Sequence, residues 1–392
     1  MRGSRVVRIR NSITIGQLLG SGFLFSLVMV YVYSQSIYYA YVILSLIMIL
    51  FSYVIYLKNY HKVSEKCRGL ITFVLACSLI NGILHGGIKS VVMLNVSLIL
   101  AFALSTMNIK LVRVERALAS VSLLAIAFVA VQVKFEILGY INSNTLSFLA
   151  YMGLSVSFIW LKYTRKKICP IIYLVISFWC FLQTGSRNVA IVILVCFVLL
   201  VVPQKLWLNK FFYRSVYIGI IAYTIFSMYI MELGFANMRI ANFLNEYVQS
   251  FSEKGWELEK RIDDLASIQY LLRGMSAPER LFGKGILEYH GHNLFYQSLF
   301  VYGYVGTICI YGTYIVMFEM AYKLIKKGNN PIVLASIIIM LGHFLIQGAD
   351  VYMLGLESCF AMPAVIMGLI MQQYRIMFNA TKQEQKESVK CK

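Results

Sequence analysis

The chain is a succession of long apolar runs separated by short polar connections. A membrane-spanning helix needs about 20 mostly apolar residues, and about twelve such runs can be recognised between charges and Pro or Gly clusters. In chain order they cover residues 14–33, 37–57, 70–84, 89–107, 117–133, 145–161, 169–184, 189–203, 215–234, 293–322, 331–348 and 351–372. With 59% hydrophobic and 14% charged residues, the composition excludes a soluble protein of this length. We therefore predict an all-α, polytopic integral membrane protein that forms one transmembrane domain over residues 1–392.

Lysine and arginine predict the orientation of these helices, because basic residues are concentrated in short cytoplasmic connections. With the amino terminus inside, the cytoplasmic segments are 1–13, 58–69, 108–116, 162–168, 204–214, 323–330 and 373–392. These segments hold 26 of the 36 Lys and Arg residues, whereas the short outer connections hold three. We therefore predict a multi-pass protein of a cytoplasmic membrane with both termini inside. The net charge of +19 then reflects topology, with anionic lipid as partner and no nucleic acid.

One polar segment is long: residues 232–292, which the topology places outside. Functional residues tend to lie in such loops, so we expect the site there. The apolar spacing between Phe243 and Arg273 predicts amphipathic helices along the membrane surface. Pro278 and the turn at 283–285 are predicted to end this helical pattern.

A short polar island, 184–188, lies between two of the apolar runs at the outer face and contains Ser186 and Arg187. No carboxylate is near Arg187 in sequence, and an unpaired arginine within the membrane costs several kcal/mol. The island therefore favours an anionic ligand close to this guanidinium. The alternative is a snorkelling arginine at the tip of a helical hairpin.

A second island lies where the long outer segment ends, at Gly291, His292 and Asn293. His292 would stand at the start of the next helix, where the helix dipole lowers a histidine's pKa and favours the neutral, proton-accepting form. The alternatives are a structural histidine and, for Asn293, a helix cap. His290 is the second candidate for the proton acceptor.

Other ionisable residues give weaker signals. Arg261 lies in the amphipathic stretch, from which a guanidinium could bind a phosphate, whereas the remaining outer cations are expected to be solvated. No CxxC pair or Asp-x-Asp pattern is present, and no His cluster accompanies Asp263 and Asp264, so we expect a site without a metal or other cofactor. Ionisable groups inside the predicted spans, or in the turn between the last two of them, would also serve a transporter; they are Glu319, His343, Asp350 and Glu357.

The order of these motifs resembles the O-antigen polymerase and ligase superfamily. A Thr-Gly-Ser-Arg island ends one span, and an arginine lies in the long outer loop that follows. The loop then closes with Leu-Phe-Gly-Lys-Gly at 281–285, His-Asn-Leu-Phe at 292–295 and Tyr-Gly-Tyr-Val-Gly at 302–306. The matching motifs cover roughly residues 180–310. Members of this superfamily are integral membrane glycosyltransferases of the bacterial cell surface, and the resemblance implies a GT-C-like fold.

The resemblance also implies roles for the candidate residues. Ser186 and Arg187 correspond to the family's Ser-Arg motif, whose arginine is thought to bind the lipid pyrophosphate. Arg261 stands where the family has an arginine followed by an aromatic residue, usually Trp, whereas this chain has no Trp between 262 and 269. His292, supported by Asn293, corresponds to the histidine proposed to act on the acceptor hydroxyl.

These roles imply a metal-independent, inverting transfer of undecaprenyl-pyrophosphate-linked oligosaccharide, which would make O-antigen or capsular polysaccharide. We favour a repeat-unit polymerase, because no distinctive acceptor domain is visible in the sequence. The alternatives are a ligase that transfers finished polymer, a lipid-linked oligosaccharide flippase or other transporter, and a cell-wall glycan polymerase. A chain-length regulator and a flippase are the partners that the resemblance implies.

Overall fold

The computed structural model describes a little over half of the chain. The described residues are 54, 57–59, 69, 76, 80, 101, 103–106, 111–136, 143–163, 167–184, 187–230, 267–284, 293–328, 331–348 and 366–378. Throughout these ranges the regular elements are helices, and none of these residues lies in a strand. The predicted all-α fold is confirmed for this part of the chain.

Most of the helices are found where the apolar runs predict them, except two short helices at 204–208 and 277–282, which no run predicts. The helices are α1 (Leu111–Phe135), α2 (Ser143–Tyr163), α3 (Ile168–Thr184), α4 (Arg187–Val201), α5 (Gln204–Leu208), α6 (Lys210–Ile230), α7 (Ala277–Phe282), α8 (Leu294–Gly328) and α9 (Pro331–Gln347). Residues 267–273 and 366–378 are also helical. The predicted run at 169–184 coincides with α3 to within one residue.

Three predicted boundaries are wrong at the basic ends of helices. The run predicted to start at residue 117 belongs to α1, which begins at Leu111. The run predicted to start at residue 215 belongs to α6, which begins at Lys210, and the run predicted to end at 322 belongs to α8, which continues to Gly328. The predicted boundaries fall at charged residues, yet Lys and Arg are good helix formers. Their long aliphatic side chains can also pack along apolar surface while the charge reaches water, so a helix can continue beyond its apolar part.

Among the described residues, one helix is long and apolar enough to cross a membrane, judged by length and composition. It is α8, over Leu294–Lys327. Shorter apolar stretches of 10–17 residues lie in α1, α2, α3, α4 and α9. The count of about twelve spans, the orientation and the GT-C-like fold stay predictions. The first four predicted runs lie mostly outside the described residues.

Helix α9 is the centre of the described core. It packs against α2, α4, α6 and α8, and its residues 337–340 are fully buried. A Cβ at Gly342 would overlap the hydroxyl of Tyr151 and lie 2.7 Å from Cys196 Sγ. The absence of a side chain at Gly342 therefore lets α2 and α4 approach α9 closely.

Helix α3 shows the reverse of the pattern expected in water. Its buried face consists of Pro170, Tyr173, Ser177, Cys180, Phe181 and Thr184. Its exposed face carries Ile168, Ile171, Ile172, Val175, Ile176, Phe178, Trp179 and Leu182. A buried face that includes Ser177, Cys180 and Thr184, with large apolar residues outside, is typical of helices with one side toward lipid.

A bidentate ion pair joins α6 to α8. The Nε and Nη2 atoms of Arg214 donate to the two carboxylate oxygens of Glu319, each over 2.8 Å. The hydroxyl of Tyr217 donates to the same carboxylate over 2.9 Å. Glu319, which the sequence marks as a candidate functional group inside a span, therefore has its charge compensated by a neighbouring helix.

Further contacts gather basic helix ends around this pair. The hydroxyl of Tyr322 donates to the carbonyl of Leu208 over 3.1 Å. The ammonium of Lys323 lies 5.6 Å from the ring centre of Tyr374. The ends of the helices that meet here are ends predicted to be cytoplasmic, and we call this region the charged end.

Candidate functional site

The opposite end of these helices is organised by Asn293. Its side chain is fully buried, and its Oδ1 accepts from the backbone N–H groups of Phe295 over 2.8 Å and Tyr296 over 3.2 Å. These bonds cap the start of α8, as the sequence suggested. Its Nδ2 donates to the carbonyls of Thr224 over 2.7 Å and Gly348 over 3.3 Å. Asn293 thus ties the start of α8 to α6 and to the end of α9, and we call this region the Asn293 end.

Arg187 is the first residue of α4, and the packing of α4 on α9 shows where that helix begins. The thiol of Cys196 contacts the carbonyl of Ile338 at 3.6 Å, and Val192 lies beside Gly342. At the other end, the short helix that follows α4 is bonded to the end of α8 through Leu208 and Tyr322, and α9 begins directly after α8. The end of α4 therefore lies toward the start of α9, and the two helices are antiparallel. The start of α4 therefore lies by the end of α9, where Gly348 accepts from Asn293.

Arg187 and Asn293 thus belong to the same end of the described helices. The remaining predicted site residues lie outside the described residues: Ser186, Arg261, His290 and His292. Their roles stay predictions. The structure does describe the residues on both sides of the connection that carries the two histidines, namely Lys284 and Asn293.

A crossing of two glycines holds the first side of that connection. Gly283 and Gly303 have φ values of 80° and 64°, in the left-handed region that favours glycine. A Cβ on Gly283 would overlap the backbone of Val301, and a Cβ on Gly303 would overlap that of Leu281. The Leu-Phe-Gly-Lys-Gly and Tyr-Gly-Tyr-Val-Gly motifs are therefore in direct backbone contact.

The crossing also explains a break in α8. Gly303 has non-helical backbone angles within the helix, and the N–H of Lys284 donates to the carbonyl of Phe300 over 2.7 Å. The interrupted helix thereby regains a hydrogen-bond partner for that carbonyl. Both Lys284 and Asn293 are consequently fixed on the first third of α8.

The segment before the crossing covers α8 and is amphipathic over its described part. Ile268 is fully buried against Tyr296, whereas Tyr270 is 78% exposed. Residues 267–273 are thus helical with one buried face, in accord with the amphipathic pattern, and their predicted placement along the membrane surface stays a prediction. The prediction that Pro278 ends the helical pattern is wrong, because Pro278 lies in the first turn of α7.

A proline fits that position because the first turn of a helix does not use its N–H groups for intrahelical bonds. Gly283 ends α7 with its positive φ. The turn predicted at 283–285 is thus found at Gly283, and it follows α7.

Sequence reasoning did not single out Arg273 and Arg280. Both are exposed, as expected of outer cations, but they line one cleft against α8. Local sequence carries no signal for this pairing, because the cleft depends on the glycine crossing. His343 lies in the last third of α9, buried and edge-on to Tyr151 with 5.2 Å between ring centres.

Within the described ranges, no three His, Cys, Asp or Glu side chains lie close enough together to hold a metal ion. The expectation of a metal-free site concerns residues that are partly outside these ranges and stays a prediction.

Comparison with known proteins adds no family. No protein-family model matches the chain, and no curated protein matches it. The resemblance to the O-antigen polymerase and ligase superfamily therefore depends on the motifs quoted above and on their order.

Proposed function

We propose that this chain is a membrane glycosyltransferase that polymerises undecaprenyl-pyrophosphate-linked oligosaccharide repeat units on the outer face of the bacterial cytoplasmic membrane. The observation that carries the proposal is the bond from Asn293 to Gly348. It joins the helix that follows His292 to the end of α9, beside which α4 and Arg187 begin. Arg187 and Asn293, described residues more than 100 positions apart in sequence, thus lie at one end of the described helices, which supports the proposal.

The chemistry needs a cationic group and a proton acceptor at one place. The pyrophosphate leaving group carries negative charge, which Arg187 and Arg261 would neutralise without a metal. His292 would accept the proton of the acceptor sugar hydroxyl as that oxygen attacks the anomeric carbon. The new glycosidic bond forms as the bond to the pyrophosphate breaks, and a single displacement inverts the anomeric centre.

Asn293 has a positioning role in this proposal. All four of its hydrogen bonds described above go to backbone groups, so its amide is committed to structure. By fixing the first turn of α8, it fixes the point at which the chain carrying His292 enters the helix. A histidine placed in this way would act more effectively than a flexible one, because catalytic groups act only within narrow geometric limits.

The test uses a deletion strain complemented with the wild-type gene or with Arg187→Ala, His292→Ala or His290→Ala. We expect the first two variants to lose polymer and to accumulate single lipid-linked repeats on the outer face, with His290→Ala close to wild type. Membrane protein levels, measured by immunoblot, control for folding.

Other outcomes would assign a different function. Repeats that accumulate on the cytoplasmic face would identify a flippase, and long lipid-linked polymer without transfer would identify a ligase. Normal polymer in both Arg187→Ala and His292→Ala would contradict the proposed site.

A further inference from the structure

A cleft of about 250 Å³ lies between the segment before the glycine crossing and the first part of α8. Its lining consists of Leu272, Arg273, Met275, Arg280, Leu299 and Tyr304. Two cations thus share one concave surface with three aliphatic side chains and one tyrosine. A surface of this kind has a polar part and an apolar part, and a ligand that fits both must itself be amphipathic.

Arg280 is held in place across the cleft. Its Nε donates to the carbonyl of Met275 and its Nη2 to the carbonyl of Arg273, each over 3.0 Å. These bonds orient the guanidinium and leave its other N–H groups for a ligand. Because the orientation is set by the fold, little side-chain entropy is lost when an anion binds.

The positive charge of the cleft is not cancelled by a carboxylate in the part of the chain that the structure describes. The nearest acidic residue in sequence is Glu279, which accepts from the N–H and hydroxyl of Ser276 over 2.7 and 2.9 Å. Its other oxygen lies 3.9 Å from the ammonium of Lys284. Arg273 and Arg280 form no ion pair with any described residue, so two positive charges face the cleft together.

We propose that this cleft binds the phosphate or diphosphate headgroup of a lipid, with Arg273 and Arg280 on the phosphate oxygens and the first part of the lipid chain on Leu272, Met275 and Leu299. Guanidinium groups match phosphate geometry and bind it through charge-assisted hydrogen bonds. Pockets that enclose drug-sized ligands measure roughly 300–1,000 Å³, so a cleft of about 250 Å³ suits a headgroup better than an oligosaccharide.

This site is separate in sequence from the Arg187 and His292 islands. A polymerase must hold two lipid-linked diphosphates at once, and this part of the argument rests on the proposed function. The cleft would hold one of the two lipids while the islands act on the other. An anionic phospholipid offers the same headgroup chemistry, and the experiment separates these two sources.

The experiment measures binding by the full-length protein in nanodiscs of neutral phosphatidylcholine. Arg187→Ala serves as the background, so that binding at the island does not obscure the cleft. The probes are farnesyl diphosphate, a short-chain phosphatidylglycerol and inorganic pyrophosphate. We expect at least one lipid probe to bind about tenfold more weakly or worse after Arg273→Gln and after Arg280→Gln, the loss expected for one charge-assisted contact.

Lys284→Gln is the matched control, because it removes the same charge from the same segment without lining the cleft. The Arg273 side chain makes no hydrogen bond to a described residue, so Arg273→Gln should leave the fold intact. It therefore tests the cleft even if Arg280→Gln misfolds. The stronger of the two lipid probes identifies the source of the headgroup.

Equal binding by all variants would overturn the proposal. Equal affinity for inorganic pyrophosphate and farnesyl diphosphate would overturn the role of the aliphatic wall. The assay involves no turnover, so its failure would leave the polymerase test unaffected, and failure of the polymerase test would leave this binding result unaffected.

Discussion

The two ends of the helices are held together by different kinds of interaction. At the charged end, a bidentate ion pair between Arg214 and Glu319 joins α6 to α8. At the Asn293 end, a neutral amide joins the same two helices and α9 through backbone carbonyls. At the charged end, Arg214 is held in a structural ion pair. The Asn293 end leaves two of its described cations, Arg273 and Arg280, without a carboxylate partner among the described residues, which is the arrangement needed to bind an anion.

The strongest way to break the Asn293 end is to add a methyl group at the glycine crossing. Gly303→Ala forces a positive φ on alanine, which costs about 1–3 kcal/mol, and its Cβ would overlap the backbone of Leu281. We expect a total loss of about 3 kcal/mol or more in the free energy of unfolding. Thermal unfolding in detergent, followed by circular dichroism, measures this loss.

Gly312→Ala is the control in the same helix, because nothing lies within 4 Å of a Cβ at that position. An alanine there should be neutral or should stabilise the helix by about 0.5–1 kcal/mol. If both glycine variants unfold alike, the crossing does not contribute to stability as described.

The next largest effect is expected from Asn293. Asn293→Ala removes the helix cap, worth about 1 kcal/mol, together with two bonds to carbonyls worth about 0.5–1.5 kcal/mol each. Asn293→Ser keeps an oxygen that can cap α8 but cannot reach both carbonyls. We expect a loss of about 2–4 kcal/mol for alanine and about half of that for serine, measured by denaturant unfolding in detergent. Equal losses of unfolding free energy for the alanine and serine variants would show that the hydrogen bonds to α6 and α9 add no stability beyond the helix cap.

The smallest effect belongs to the charged end. The side chains of Arg214 and Glu319 are 42% and 27% exposed, so solvent screens their attraction. Glu319→Gln should cost about 1 kcal/mol, and the cost should fall as salt is added. A double-mutant cycle with Arg214→Gln measures the coupling energy.

Polymer length per folded molecule should be unchanged by Glu319→Gln, because this end contributes no group to the proposed chemistry. A large loss of polymer at normal protein levels would contradict the division of roles between the two ends.

Sequence reasoning was most successful where the signal is local. Apolar runs predicted α3 and α9 closely, and the position of Asn293 before an apolar run suggested its cap. Helix boundaries at Lys210 and Gly328 were misplaced, because a charged residue can continue a helix beyond its apolar part.

Contacts between distant residues were not predictable in the same way. The ion pair of Arg214 with Glu319 joins residues 105 positions apart, and the glycine crossing joins two motifs whose spacing alone does not show that they touch. Both depend on how helices pack, which hydrophobic periodicity does not specify. The cleft of Arg273 and Arg280 follows from the same packing and was missed for that reason.

The two attachments at Lys284 and Asn293 also have a consequence for the entropy of the reaction. A chain segment whose two ends are held on one helix has fewer accessible conformations than a segment held at one end. In the proposed polymerase, the entropy cost of bringing Lys284 and Asn293 together is met when the protein folds and not in each turnover, so more of the substrate's binding energy is left for the transition state.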